Sequence, residues 1–305
     1  MVSIKLNPLE PLRTGLSQAL RARVGGDSFE EDSRRIWTDP GERWFAPGTA
    51  IHVVHQDASM YIGGIRALLL QSLHPLAMAG VAGHSGFKSD PWGRLQRTSF
   101  YLAMTTFGPA DQAEAHIAKI RSIHERVRGK AFDGRPYRAS DPHLLKWVHI
   151  AEIDSFLGAY RRFGGSRLTA EMADEYVDQT ALVAGKIGVI EPPHTVRELA
   201  EMIASYRPEL ESTVAARDAA RFLLLSPPLP VASRPGYAML AAAAVSTLPG
   251  WARRILRLPR VPLADTVIGS GLGKAATYTI RWAMTAPVRE RTALGATRDA
   301  PTAAR

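Results

Sequence analysis

The chain marks where helices begin and end far more clearly than it marks strands. Asp90-Pro91 and Asp141-Pro142 each place a capping side chain before a proline at the first helical position. Thr195-x-x-Glu198 is a capping-box pattern, and apolar residues recur at helical spacing between such boundaries. Sustained alternation of apolar and polar residues is missing, as is an Asp-Gly turn between β-branched runs. The sequence therefore predicts a mainly α protein with a single helical domain.

The same signals predict the extent of each helix and a division of the chain into three parts. Residues 1–40 are expected to be a loosely docked N-terminal arm, 41–250 the main helical domain, and 251–305 a basic C-terminal helical segment that ends in a frayed tail from residue 287. The predicted helices cover residues 58–73, 90–108, 109–129, 141–165, 169–186, a stretch from 195, 209–225, 237–248 and 271–286.

Charge and cysteine content narrow the classes of function. The chain has no cysteine, which excludes thiolate nucleophiles, iron–sulfur clusters, thiolate-ligated haem and Cys-type zinc sites. Of the net charge of +9, residues 251–305 carry +7, from ten Lys and Arg against three acidic residues. The chain contains no basic run interleaved with aromatic residues, so the sequence does not favour a nucleic-acid partner. A basic end favours peripheral contact with an anionic membrane instead. Because Glu10 and Arg13 interrupt any signal peptide, a cytoplasmic location is expected.

Histidines are the best candidate ligands in a chain without cysteine. In the helix predicted over 109–129, Ile117, Ile120, His124 and Val127 share one inward face. An inward imidazole on an apolar face suits an axial haem ligand, because haem needs an apolar slot and one nitrogen donor. A core histidine hydrogen-bonded to a neighbouring carbonyl explains the same pattern, and both interpretations stay open at this point.

The preceding helix presents a polar face made of Arg94, Arg97, Thr98 and Tyr101. Two guanidinium groups and two hydroxyls on one face require either solvent or an acidic partner. One interpretation is a wall that binds carboxylates, such as haem propionates, or that steers bound oxygen. The alternative is an ordinary solvated face.

Other histidines have weaker patterns. His149 shares a helix face with Ile153 and Phe156, with Trp147 off that face, and is either a cofactor contact or a core histidine. His52 and His55 could chelate a metal at i, i+3, but no third ligand is evident, so both are expected at the surface.

Five runs of residues occur in a recognisable order. They are Gln71-Ser-Leu-His74-Pro75, Gly80-Val-Ala-Gly-His84-Ser85, Asp90-Pro91-x-x-Arg94-Leu95-x-Arg97-Thr98, Ile123-His124-x-x-Val127-Arg128-Gly129 and Leu145-x-Trp147-Val148-His149. Together they resemble the MpaB and latex-clearing (rubber) oxygenase family over roughly residues 40–250.

This resemblance implies a globin-like helical core that holds non-covalent haem b, with His124 as the proximal iron ligand. In latex-clearing members an arginine, a lysine and a threonine line the distal side, and the matching positions here are Arg94, Arg97 and Thr98. Arg97 thus replaces the lysine, and a guanidinium, which stays protonated, cannot ligate iron. The sixth coordination position is therefore expected to be open, water-bound or filled by dioxygen.

The function expected from the resemblance is a haem b-dependent oxygenase that activates dioxygen to oxidise or cleave an apolar terpenoid, polyprenyl or lipid substrate. Arg94, Arg97 and Thr98 would be the catalytic residues, and His149 would join the two arginines and His124 in binding the cofactor. Two alternatives are a non-catalytic haem-binding sensor or carrier, and a haem-free helical protein at a membrane surface. Peripheral membrane contact would use residues 251–305.

Overall fold

The computed structural model describes residues 9–84, 89–258 and 269–285, and within these the chain is mainly α-helical, as predicted. Residues 1–8 of the predicted arm and the tail from residue 287 lie outside the described residues. The predicted globin-like arrangement stays a prediction. In chain order the helices are α1 (Glu10–Gly25), α2 (Phe29–Trp37), α3 (Ala50–His55), α4 (Met60–Gln71), α5 (Pro75–His84), α6 (Pro91–Phe107), α7 (Ala110–Arg126), α8 (Pro142–Phe163), α9 (Ala170–Ile187), α10 (Val196–Tyr206), α11 (Val214–Leu225), α12 (Arg234–Thr247), α13 (Gly250–Ile255) and α14 (Ser270–Met284).

Side-chain caps explain where the main helices begin. Asp90 accepts a hydrogen bond from the Gly93 N–H at 2.9 Å at the start of α6, and Asp141 accepts one from the His143 N–H at 2.9 Å at the start of α8. A proline follows each aspartate, where its missing N–H costs no helical hydrogen bond. Three threonines cap α9, α10 and α11 in the same way: Thr169, Thr195 and Thr213.

The central element of the core is α8. It packs most extensively against α4, and it also contacts α3, α5, α9, α10, α12 and α14. Gly63 on α4 permits the close approach, because a Cβ there would lie 2.8 Å from the Phe156 ring on α8. Trp147, which lies off the helix face shared by His149, Ile153 and Phe156, is also fully buried. Helix α8 has neighbours on most of its circumference, so it buries several faces.

A buried ionic group links three of the core helices. Arg66 on α4 forms an ion pair with Asp154 on α8 at 2.8 Å. Its other nitrogens donate to Ser155 Oγ at 2.8 Å and to the Thr247 carbonyl of α12 at 3.1 Å. The guanidinium is therefore compensated although Arg66 is only 4% exposed.

A short hairpin begins where the sequence predicted the last residues of the helix over 109–129. Helix α7 ends at Arg126, and β1 (Arg128–Lys130) pairs antiparallel with β2 (Pro136–Arg138). The turn contains Asp133-Gly134, and Gly134 has a φ of +85°, which glycine tolerates. The flanking residues are not β-branched, so the strand pattern is weak. The dipeptide was the available signal for this hairpin.

The helices near both ends of the described chain pack against the other helices of the fold. Helix α1 contacts α6 and α14, and α14 also contacts α12 and α8. The predicted division at residues 40 and 250 stays a prediction. Among the described helices, none alone is long and apolar enough to cross a membrane; only α4 and α5, which meet at 109°, reach that length and composition as a pair.

Candidate functional site

His124 lies in the last turn of α7, at the end of a stripe that becomes more accessible toward the C-terminus. Ile117 is buried, whereas Ile120 and His124 are half-buried, so the predicted inward face exists. The Nδ1 atom of His124 is buried and has no hydrogen-bond partner among the residues that the structure describes. Burial lowers the pKa of His124, so the imidazole is neutral near pH 7. A neutral imidazole without a partner is able to ligate a metal.

Helices α6 and α7 form an antiparallel hairpin, so Arg94 near the start of α6 and His124 near the end of α7 lie toward the same end of it. Only two residues separate the helices, and His116 on α7 packs against Phe100 on α6 with ring centroids 4.9 Å apart. Counting eight residues from the His116–Phe100 contact along both antiparallel helices brings His124 level with Trp92, two residues from Arg94. Arg94 is half-buried, and burial, with the neighbouring Arg97, lowers its pKa.

The other two predicted distal residues face solvent in the structure. The side chain of Arg97 is 65% exposed and forms an ion pair with Asp90 at 3.1 Å, and Thr98 is also exposed. The helix face that the sequence treated as one wall therefore divides. Arg94 and Tyr101 are sheltered, whereas Arg97 and Thr98 lie on its open side.

Helix α8 contributes a second unpartnered histidine and a carboxylate that the sequence analysis did not identify. The buried Nε2 of His149 has no hydrogen-bond partner among the described residues, and burial lowers the pKa of His149 to about 4. One turn further, burial raises the pKa of Glu152 to about 7. Both side chains are nevertheless only half-buried by surface area. A side chain that lies deep in the fold and still has accessible surface is expected to line a recess.

Tyr101 shows which helix faces this part of α8. Burial raises the pKa of Tyr101, and the negative charge of Glu152 raises it further, so the two side chains lie within electrostatic range of each other. Yet neither α6 nor α7 packs closely against α8 in the described parts of the chain. We call the space between these helices the recess, and we define it by Tyr101, His149 and Glu152. A glutamate one turn after His149, among apolar residues, was the signal for Glu152 in the sequence.

The pair His52 and His55 is not at the surface, so that expectation was wrong. His52 is 7% exposed, and its Nε2 lies 3.2 Å from the Thr106 carbonyl. Both ring nitrogens of His55 are engaged, with Thr106 Oγ1 at 2.8 Å and the Tyr176 hydroxyl at 3.2 Å. Burial, with a smaller contribution from His52, lowers the pKa of His55 to about 3. The helices α6 and α9 cover these histidines, which no local pattern reveals.

Comparison with protein families identifies a match that contains the recess. Residues 51–282 match the family described as ER-bound oxygenase mpaB/B′/rubber oxygenase, catalytic domain. The chain belongs to this family. The matched region of the MpaB/rubber oxygenase family extends from α3 into α14, beyond the range of the resemblance seen in the sequence. Comparison with curated proteins and with solved structures found no match.

The residues present fit the haem that resemblance to the MpaB/rubber oxygenase family implies. His124 offers a neutral imidazole without a partner, and His149 offers a second one. Arg94 brings a sheltered positive charge to the same end of the α6–α7 hairpin as His124, suited to a propionate. In most metal sites the second nitrogen of a ligating histidine donates a hydrogen bond to a protein acceptor. His124 has no such acceptor among the described residues.

Proposed function

We propose that the protein is a haem b-dependent oxygenase that uses dioxygen to oxidise or cleave an apolar terpenoid, polyprenyl or lipid substrate. The observation that carries the proposal is the neutral, unpartnered imidazole of His124 within a region of the oxygenase family. Bound haem would supply an iron centre able to activate dioxygen. Cleavage of a carbon–carbon double bond into two carbonyl groups consumes both oxygen atoms, so the net reaction requires no external electron donor.

The chain's own residues would bind the cofactor and control charge in the recess. His124 would hold the iron, and Arg94 would bind a propionate or stabilise negative charge on oxygen. Arg97 and Thr98 keep the family-matched catalytic roles in this proposal, and because both side chains are exposed they would act from the solvent side. His149 would contact the cofactor from α8. Glu152, with a pKa of about 7, is suited to hold or release a proton at its carboxylate.

The absorption spectrum of protein produced with haem available tests the proposal. The wild-type protein should show a Soret band and about one haem per chain. His124→Ala should lose most of that haem because the iron loses its protein ligand. His116→Ala is the matched control: His116 is a half-buried histidine on the same helix, packed on Phe100, and its replacement should keep the haem content. A His124→Ala protein with unchanged haem content would refute the assignment.

Product analysis separates the oxygenase from the two alternatives. The oxygenase should form carbonyl products from alkene lipids, and ¹⁸O₂ should label them. A sensor or carrier would show the same Soret band with no oxygen-dependent product from the same lipids. A colourless protein that still binds anionic vesicles would instead indicate a haem-free membrane-surface protein.

A further inference from the structure

Three side chains from distant parts of the chain meet beside the rings of Trp147 and Tyr206. His74 lies between α4 and α5, His143 is in the first turn of α8, and Glu209 follows α10 in a 3-10 turn. One ligand atom from each of these residues lies within 4.8 Å of the other two. None of the three belongs to the recess, and none has a role in the proposed oxygenase chemistry. We call them the His74–His143–Glu209 cluster.

The distances in the cluster are close to those of a metal coordination sphere. Glu209 Oε2 is 2.8 Å from His143 Nε2 and 3.4 Å from His74 Nε2. Ligands about 2.0–2.1 Å from a tetrahedral zinc ion lie about 3.3 Å from one another. Small side-chain rotations would therefore bring the three atoms onto one ion.

His74 provides an observation independent of these distances. The side chain is only 2% exposed, yet its Nε2 is buried and has no aligned hydrogen-bond partner in the described chain. The ring is held near Trp147 and Tyr206, with centroids 6.3 Å from each. A buried nitrogen that lies 3.4 Å from a carboxylate oxygen without being aligned for a hydrogen bond is costly unless a third group binds both atoms.

Tyr206 supports a tautomer of His143 that can bind a metal. Its hydroxyl donates to the His143 carbonyl at 2.9 Å and lies 3.1 Å from His143 Nδ1. With its own proton given to the carbonyl, the phenol oxygen accepts from Nδ1–H. The lone pair of His143 then lies on Nε2, which faces Glu209. Such support of a ligating histidine by a neighbouring acceptor is common around metal ions.

A competing arrangement uses protons rather than a metal. The Ala77 N–H points at His74 Nδ1 from 3.5 Å, which favours a proton on His74 Nε2, directed at Glu209. That bond is at the limit of hydrogen-bond length, so it constrains the tautomer weakly. The nearby cation Arg135 is itself balanced by Asp133 at 2.6 Å and Glu211 at 3.7 Å.

We propose that His74, His143 and Glu209 form a binding site for a divalent transition-metal ion of the zinc class, separate from the haem site. Two neutral imidazoles and one carboxylate are a donor set that Zn²⁺ accepts, with water at the remaining position. His143 and Glu209 are half exposed on one side, so an ion and its water can reach the site from solvent. The site links the start of α5, the start of α8 and the end of α10.

Zinc titration of the full chain, after removal of any affinity tag and treatment with a chelator, tests the proposal. Calorimetry and elemental analysis should give one Zn²⁺ per chain, and the midpoint of thermal unfolding should rise on zinc addition. His143→Ala and Glu209→Gln should each weaken zinc binding at least 100-fold. Tyr206→Phe should weaken it about tenfold, in the range seen when a group supporting a ligand is removed.

The control variant is His194→Ala, which removes an exposed histidine 2.7 Å from the carboxylate of Asp178 and should leave the zinc titration unchanged. Circular dichroism of each variant without zinc establishes that the fold is intact. The proposal is overturned if the wild-type chain binds no zinc at micromolar concentration. It is also overturned if His143→Ala and Glu209→Gln bind zinc as the wild type does. Loss of stability on Glu209→Gln without zinc binding would assign the cluster to the proton-bridged arrangement.

Discussion

Glu152 lies in an environment that its residue type disfavours. A carboxylate among the apolar residues of α8, with no hydrogen-bond partner in the described chain, is stabilised in its protonated form. Groups held at such cost are common at functional sites, where a pKa near neutrality serves proton transfer. Its position one turn from His149, facing Tyr101, is consistent with a role in the recess.

Replacing Glu152 by Gln should stabilise the protein in a pH-dependent way. Burial raises the pKa of Glu152 from 4.5 to about 7, so the folded state binds the proton more tightly than the unfolded state. The carboxyl group therefore costs stability as pH rises from about 4.5 to about 7. The variant should gain about 1–3 kcal/mol in free energy of unfolding at pH 8 and less at pH 5. Urea unfolding at the two pH values measures the difference.

An exposed glutamate on α7 provides the control for this experiment. Glu125→Gln should change the free energy of unfolding by less than about 0.5 kcal/mol at either pH. If Glu152→Gln lowers stability equally at pH 5 and pH 8, the carboxyl is not held in a desolvated position. If Glu152 also serves the reaction, the stabilised variant should lose turnover while keeping its haem.

At the scale of elements, one aspartate attaches the C-terminal helix to the core. Arg281 of α14 donates to Asp57 through Nε at 2.9 Å and Nη2 at 2.8 Å. Asp57, which lies between α3 and α4, also accepts from the N–H groups of Ser59 at 2.8 Å and Gly165 at 3.2 Å. The single carboxylate thus joins α14, the start of α4 and the segment after α8.

Breaking this ion pair should destabilise the fold by far more than breaking a surface pair. Asp57→Asn should lower the free energy of unfolding by about 2–4 kcal/mol, because Asp57 is 10% exposed and Arg281 would lose its charged partner. Combining it with Arg281→Gln should show a coupling energy of about 1–3 kcal/mol in a double-mutant cycle. Glu201→Gln, which breaks the exposed pair with Arg197, should cost about 0.5 kcal/mol or less.

The pH dependence of this pair has the opposite sign to that of Glu152. Burial alone would raise the pKa of Asp57, but hydrogen bonds from Arg281 and Ser59 outweigh it and lower the pKa below 3.8. Its contribution is present above the unfolded pKa and is lost as pH falls through the folded pKa. The difference between wild type and Asp57→Asn should therefore shrink below about pH 3.8. A constant difference down to pH 2 would contradict this account.

At the scale of the whole molecule, the basic charge of the C-terminal region divides between core and surface. Arg253 is 4% exposed and Arg281 is paired with Asp57, so neither is available to a partner. Arg254, Arg257 and Lys274 are exposed. The predicted contact with an anionic membrane, if it uses the described residues, depends on these three side chains.

Replacing Arg254, Arg257 and Lys274 together by Gln should weaken binding to vesicles that contain phosphatidylserine by at least tenfold. Each basic residue at an anionic surface contributes about 1 kcal/mol, and the binding of the wild type should fall as salt rises. Vesicle sedimentation at two salt concentrations measures both effects. The same number of charges removed elsewhere, at Lys119, Arg121 and Arg197, should have a smaller effect. Equal effects of the two triple variants would leave only net charge as the cause.

Helix starts that have local signals are predictable from the sequence alone. The starts of α6, α8, α9 and α10 follow from Asp90, Asp141, Thr169 and Thr195, because a cap acts within three residues of itself. The inward stripe that ends at His124 also follows from spacing along one helix. The end of α7 does not follow from local spacing, because pairing of β1 with β2 competes with continuation of the helix there.

Which polar residues are deprived of water, and which of them meet, depends on the packing of the helices. Burial of Glu152, engagement of His55 with Thr106 and Tyr176, and exposure of Arg97 each depend on how separate helices pack. The approach of His74, His143 and Glu209 likewise joins residues far apart in sequence. Desolvation and hydrogen-bond partners are set by neighbours across the fold, and the sequence of a single helix does not indicate which residues those neighbours are.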